Sequence, residues 1–95
     1  MNKIDYLELI QPAIDIVVKK HEDYNNESLG LKNYFPFGDQ SYVQMLHVKS
    51  QRLVGLTQSG AVANFESVND TVLDLINYAV FYLKFLKDEQ DAKTK

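Results

Sequence analysis

Three polar groups in this 95-residue chain fall where the surrounding helical pattern is otherwise apolar. Asp70, Asp74 and Asn77 are spaced i, i+4 and i+7, which at about 100° per residue puts them on one narrow strip of a helix. Residues flanking that strip are again apolar: Leu73 and Val80 on one side, Tyr78, Phe81 and Phe85 on the other. Lys49 projects from the middle of an apolar arc of Tyr42, Met45, Leu46, Leu53 and Leu56, with Arg52 at the arc's edge. A lysine buried without a partner either pairs with a carboxylate or loses its proton, and Asp70 or Asp74 is the available acid. The alternative is a snorkelling Lys49, stem on apolar surface and tip in water. His21 extends a stripe of Leu7, Ile10, Ile14 and Val17, beside Glu22 and Asp23; it is either a satisfied core histidine or a ligand-facing one.

These residue types suit one kind of chemistry. Lys49 and Arg52 can hold a phosphate, arginine offering the planar fork for it. Asp70, Asp74 and Asn77 can engage a base or ribose. Asp70 and Asp74 with substrate phosphates also suit Mg²⁺, which prefers few carboxylates plus phosphate oxygens. In the simpler alternative both aspartates face water, with Asp70 serving as a cap, although an ordinary solvent face is wider and richer in Lys and Glu.

Three helices must position these groups. The first runs from about Lys3 to about Asp23, with Pro12 predicting that its main part starts there behind a short turn. A loop of roughly fifteen residues follows, ending in Tyr34-Phe35-Pro36-Phe37-Gly38, and its three aromatics predict docking on the core or on a ligand. Tyr34, Phe35 or Phe37 could cover a base. The second helix starts near Asp39 or Ser41, with Ser41-x-x-Gln44 as a capping box, and runs to about Thr57; Gln58-Ser59-Gly60-Ala61 closes it. The third starts near Ser67 and carries the stripe Val68, Val72, Leu75, Ala79, Leu83 and Leu86 on the side opposite the aspartates. A helix apolar nearly all round must be covered nearly all round, and two short helices do not suffice. The expectation is an all-α bundle of three main helices, completed by a homo-oligomer, dimer or larger. Residues 1–87 form the domain and residues 88–95 a frayed polar tail.

Composition narrows the function. Net charge is −3, with nine lysines and one arginine in no run, so a duplex nucleic-acid reader is not expected. The absence of cysteine excludes disulfides, thiolate metal sites and cysteine nucleophiles. Acids within the first apolar stretch do not read as a signal peptide, and no stretch of about 18 uncharged apolar residues predicts a membrane span. The expected location is cytoplasmic. G-x-x-x-x-G-K, G-x-G-x-x-G, H-E-x-x-H and G-x-S-x-G are all absent, and two histidines so far apart make no His-rich zinc site.

Lys20-His21-Glu22-Asp23-Tyr24, Lys49-Ser50-Gln51-Arg52-Leu53 and the run from Phe65 to Ala79 resemble a small phage and bacterial family, the nucleotide-modification-associated domain, type one. The likeness covers about Lys19 to Leu86, and its most specific element is Asp-Thr-x-x-Asp-x-x-x-Tyr. It implies a phage-type protein handling nucleotides, in the host cytoplasm, with His21, Asp23 and Tyr24 joining the candidate ligand-binding set. A more distant similarity is to the MazG-like all-α NTP pyrophosphatases, whose paired acids on two helices bind Mg²⁺ around a triphosphate. Glu66, Asp70 and Asp74 could stand for one pair. The other is missing, because Ser41 to Thr57 contains no acid, and Glu22 and Asp23 point about 100° apart on a helix.

The expected function is therefore binding of a nucleotide or nucleotide-derived small molecule without efficient turnover, as in sequestration of a signalling nucleotide. One alternative is a Mg²⁺-dependent nucleotide pyrophosphohydrolase, with metal on Asp70 and Asp74. The other is an oligomeric interaction module in which Lys49 with Asp70 or Asp74 is only a salt bridge.

Overall fold

Asn2 and Asp5 start the first helix by bonding to each other's backbone. The Asn2 N–H donates to Asp5 Oδ2 (3.0 Å) and the Asp5 N–H to Asn2 Oδ1 (3.1 Å), the reciprocal pattern of a capping box. From there α1 runs over Lys3–Asn26 with Pro12 inside it. The later start expected from Pro12 is thus corrected. The cap upstream fixes the first turn, and every residue from Tyr6 to Pro12 is exposed, so the bend that a proline imposes meets no neighbour. The computed structural model describes residues 1–26, 34–58 and 65–93, with side chains throughout except Tyr24, Asn25, Asn26, Phe65 and Glu66.

Two further helices complete the described residues, α2 over Asp39–Gln58 and α3 over Phe65–Lys93. No strand occurs among the described residues, and the all-α bundle expected from the sequence is what the chain forms. Gly38 turns the chain into α2 with φ of 60°, a left-handed conformation that glycine adopts at little cost. Ser41 caps the turn in the reverse sense to the one its spacing to Gln44 predicts. Its Oγ accepts from the Phe37 N–H (2.9 Å), and its own N–H donates to the Gly38 carbonyl (3.1 Å). The closing turn after Gln58 and the residues before Phe65 lie outside the described residues, as do Glu27 to Asn33 of the long loop. Residues 88–93, expected to fray, are helical. Glu89, Gln90, Ala92 and Lys93 are good helix formers, and Lys84–Asp88 (2.6 Å) and Lys87–Asp91 (3.3 Å) pair at i, i+4, each worth a few tenths of a kcal/mol.

α3 is the central helix, packed on both α1 and α2. Lys49 meets Asp74 and Arg52 meets Thr71, so residue numbers rise on α2 as they fall on α3 and the two run antiparallel. The seam alternates steps of three and four on each helix: Tyr42, Met45, Lys49 and Arg52 against Phe85, Phe81, Tyr78, Asp74 and Thr71, the spacing of knobs-into-holes packing. One end of this seam is aromatic. Phe35 stacks on Tyr42 with centroids 4.5 Å apart and planes 17° apart, and Tyr42 stacks on Tyr82 at 5.3 Å and 3°. Phe81 and Phe85 close the cluster. The other end is polar.

Against α3, α1 presents Ala13, fully buried, with Val17, Lys20 and His21 partly buried. Leu7, Ile10, Ile14 and Val18, expected to line the core, are exposed. Alanine explains the shift in face, since its small side chain lets the helices approach closely. On α3 the inward face is the one bearing Thr71, Asp74 and Asn77. The aliphatic stripe through Val72, Leu83 and Leu86 points outward.

Two outcomes follow from this packing. Phe81→Ala removes the centre of the core and lowers stability by about 3–5 kcal/mol, whereas Phe37→Ala, at a ring 76% exposed, changes it by less than about 0.5 kcal/mol; urea denaturation measures both. The hydrogen bond from Tyr82 to Asp39 Oδ1 (2.8 Å) holds the Tyr82 phenol above its usual range, and burial, helped by Asp88, does the same for Tyr42. A raised phenol favours the protonated folded state, so this stability is complete below about pH 10 and is lost as pH climbs through the raised values. Alkaline melting checks it: Tyr82→Phe loses less stability there than the unaltered chain.

Candidate functional site

The polar end of the α2/α3 seam is assembled from one turn of each helix. Lys49 Nζ lies 3.2 Å from Asp74 Oδ2, with side chains 21% and 38% exposed. The carboxylate that Lys49 reaches is therefore Asp74; Asp70, four residues earlier, is exposed. One turn along, Arg52 Nε donates to Thr71 Oγ1 (3.3 Å), and that hydroxyl donates to the Ser67 carbonyl (2.7 Å). Thr71 is thereby fixed in both roles of its oxygen and is 2% exposed. The Arg52 contact uses Nε and so leaves the Nη pair able to form a bidentate bond.

Asn77 is the unusual member. It is 1% exposed, and neither its Nδ2 nor its Oδ1 has a hydrogen-bond partner. Helical geometry sets it on the inward face between Asp74, one turn earlier, and Phe81, one turn later. Leaving a buried amide unpaired costs about 1–3 kcal/mol, so native chains normally satisfy such a group with protein, water or ligand.

Toward the aromatic end of the seam lies a hollow of about 290 Å³. Tyr34, Phe35, Phe37 and Tyr78 supply its aromatic wall, and Ser41, Gln44 and Met45 continue it along α2. Tyr78 is held from two directions: Phe35 meets it edge-on at 6.1 Å and 78°, and Lys20 Nζ sits 5.9 Å from its ring centre, a favourable cation–π placement. From Met45 to Arg52 is about 10 Å along the helix, so hollow, ion pair and arginine follow one another along one seam.

The structure pairs Lys49 with Asp74 and Arg52 with Thr71, places Asn77 one turn from Asp74 on α3, and lines a separate hollow with Tyr34, Phe35, Phe37 and Tyr78. Phe35 stacks on Tyr42 in the core and also lines the hollow. Its burial follows from its position just before the Gly38 turn, which tucks it under α2. His21 is elsewhere, in a second hollow of about 290 Å³ between α1 and α3, with Glu22 and Lys84 at the rim. Asp23 is exposed, and the side chains of Tyr24 and Glu66 lie outside the described residues. Among the described residues no group of three or more His, Asp or Glu side chains could hold a metal ion. Nor is any helix there long and apolar enough to cross a membrane.

Lys20, Gln44 and Tyr78 were not legible as site residues. Lys20 carried one signal, since it continues Ala13 and Val17 at helical spacing and so falls on the buried face of α1. No family model, curated protein or solved structure matches the chain.

Asn77→Leu tests whether the amide is unpaired at rest. Replacing it with a side chain of similar volume raises stability by about 1–3 kcal/mol in urea denaturation. A loss of that size instead means that the amide is already satisfied in the resting protein.

Proposed function

We propose that the chain binds a nucleotide or nucleotide-derived small molecule along the α2/α3 seam, recognising or sequestering it without efficient turnover. The observation that carries this reading is the buried, unpartnered amide of Asn77, one helical turn along α3 from the Asp74 that pairs with Lys49. An Asn side chain offers donors and an acceptor together, which is what the edge of a base or a ribose hydroxyl requires. Phosphate oxygens meet Lys49 and the Arg52 fork, while Asp74, and Asp70 at the exposed margin, accept from hydroxyl or amino groups. The hollow walled by Tyr34, Phe37 and Tyr78 takes the base, where stacking is worth about 1–3 kcal/mol. The likeness to the nucleotide-modification-associated family agrees with this reading and suggests a phage-type protein acting in the cytoplasm. A homo-oligomer belongs to the same proposal, because so much apolar surface is left outward.

A second reading is favoured by the 3.2 Å contact between Lys49 and Asp74. An ion pair already closed on itself suits an interaction module in which the pair fixes helix register and no small ligand enters.

Thermal shift with a panel of nucleoside mono-, di- and triphosphates and cyclic nucleotides, with and without Mg²⁺, separates the readings. A ligand at about a hundred times its Kd adds about 2.7 kcal/mol to the folded state, a rise on the order of 10 °C for a domain of this size. Arg52→Lys, which keeps charge but loses the fork, weakens binding roughly tenfold, and Asn77→Leu abolishes the shift. The absence of a shift with every nucleotide contradicts the binding reading and leaves the module. Pyrophosphate release in the Mg²⁺ arm identifies an enzyme instead.

A further inference from the structure

The hollow toward the aromatic end of the α2/α3 seam has no charged side chain among the described residues that line it. Two of its rings keep much of their surface in water, Tyr34 at 45% and Phe37 at 76% exposed, and a planar ligand can stack on either. Its polar groups are few. The Tyr34 and Tyr78 hydroxyls each offer a single oxygen, and Ser41 Oγ accepts from the Phe37 N–H (2.9 Å). Among the described lining residues, Gln44 alone presents a donor and an acceptor side by side. It is exposed, in the first half of α2. Lys49 stands about 7.5 Å further along that helix by its rise, so a ring held at Gln44 has a cation within reach of its phosphate.

We propose that this hollow takes adenine in preference to guanine, and that Gln44 makes the distinction. Such a preference rests on the nucleotide reading of the seam and names the base. An adenine edge sets an amino donor next to a ring-nitrogen acceptor, which a carboxamide meets with two parallel hydrogen bonds. Guanine is read by other groups: Arg or Lys on its O6 and N7, or a carboxylate accepting from its adjacent N1–H and N2–H donors. Neither a cation nor an acid is among the described lining residues. A carboxamide facing O6 and N1–H leaves the N2 amino group without an acceptor, and a polar group desolvated without a partner is costly. Cytosine repeats the donor–acceptor pattern of adenine on a smaller ring. It stacks over less area on Tyr34 or Phe37 and binds between the two purines.

Isothermal titration of the full chain with the mono- and triphosphates of adenosine, guanosine and cytidine tests it, comparing bases at equal phosphate. The adenine nucleotide binds roughly tenfold tighter than its guanine counterpart, the order of discrimination one bidentate pair gives. Gln44→Glu, at an exposed position, supplies the carboxylate that guanine's paired donors match and reverses the ratio. Comparing two nucleotides within one variant cancels the effect of the added negative charge, and circular dichroism checks that the variant stays helical. Equal affinity for the two purines, or a guanine preference in the unaltered chain, overturns the proposal and leaves nucleotide binding standing. An adenine preference that Gln44→Glu does not change overturns the role of Gln44. No binding by any of these nucleotides overturns the nucleotide reading and the base preference with it.

Discussion

The structure depends on which face α3 turns toward its neighbours. Its most uniformly aliphatic stripe faces outward, and the face that meets α1 and α2 carries Thr71, Asp74 and Asn77 among Tyr78, Phe81 and Phe85. The aromatic rings make that orientation possible. Phe35, Tyr42, Tyr82 and Phe85 stack around Phe81 at one end of the seam, and large rings bury more apolar area per residue than the aliphatic stripe could. With one end of the antiparallel seam locked by these rings, the 3-4 spacing carries the register along it and brings Lys49 to Asp74 and Arg52 to Thr71.

That orientation explains how one small chain can hold a polar site against its own stability. Thr71 is satisfied by Arg52 and the Ser67 carbonyl, and Lys49 is satisfied by Asp74. Among the described residues Asn77 is the side chain that is buried with its polar atoms unpaired, and native chains normally satisfy such a group with protein, water or ligand. The same orientation leaves Val72, Leu83 and Leu86 exposed.

Much of this was legible in the sequence. Helical periodicity located all three helices, and of the two outcomes that Lys49 in an apolar arc left open, a carboxylate partner or snorkelling, the pair with Asp74 is the one that forms. Of the narrow Asp70–Asp74–Asn77 strip, Asp74 and Asn77 turn inward, whereas Asp70 is exposed, the alternative that its capping position offered. What escaped sequence reasoning depended on context that local rules do not carry. Pro12 predicts a break, but the Asn2–Asp5 cap and open surroundings let the helix pass through it. Ser41 has the spacing of a forward cap, yet its hydroxyl turns back to Phe37 because Gly38 folds the chain over. Leu7 to Val18 looks like the core stripe of α1, but the side that can approach α3 closely is the one with Ala13. Phe35 could equally have served a ligand or the core, and it stacks on Tyr42 while also lining the hollow.

The central claim is that Asn77 waits, buried and unpaired, for a ligand in the α2/α3 seam. Its side-chain amide resonances, followed by ¹H–¹⁵N correlation spectroscopy during nucleotide titration and assigned by their loss in Asn77→Leu, report on it directly. The account predicts that those signals move downfield and saturate as a hydrogen bond forms. Side-chain signals that stay fixed with every nucleotide while others on the surface respond would contradict it.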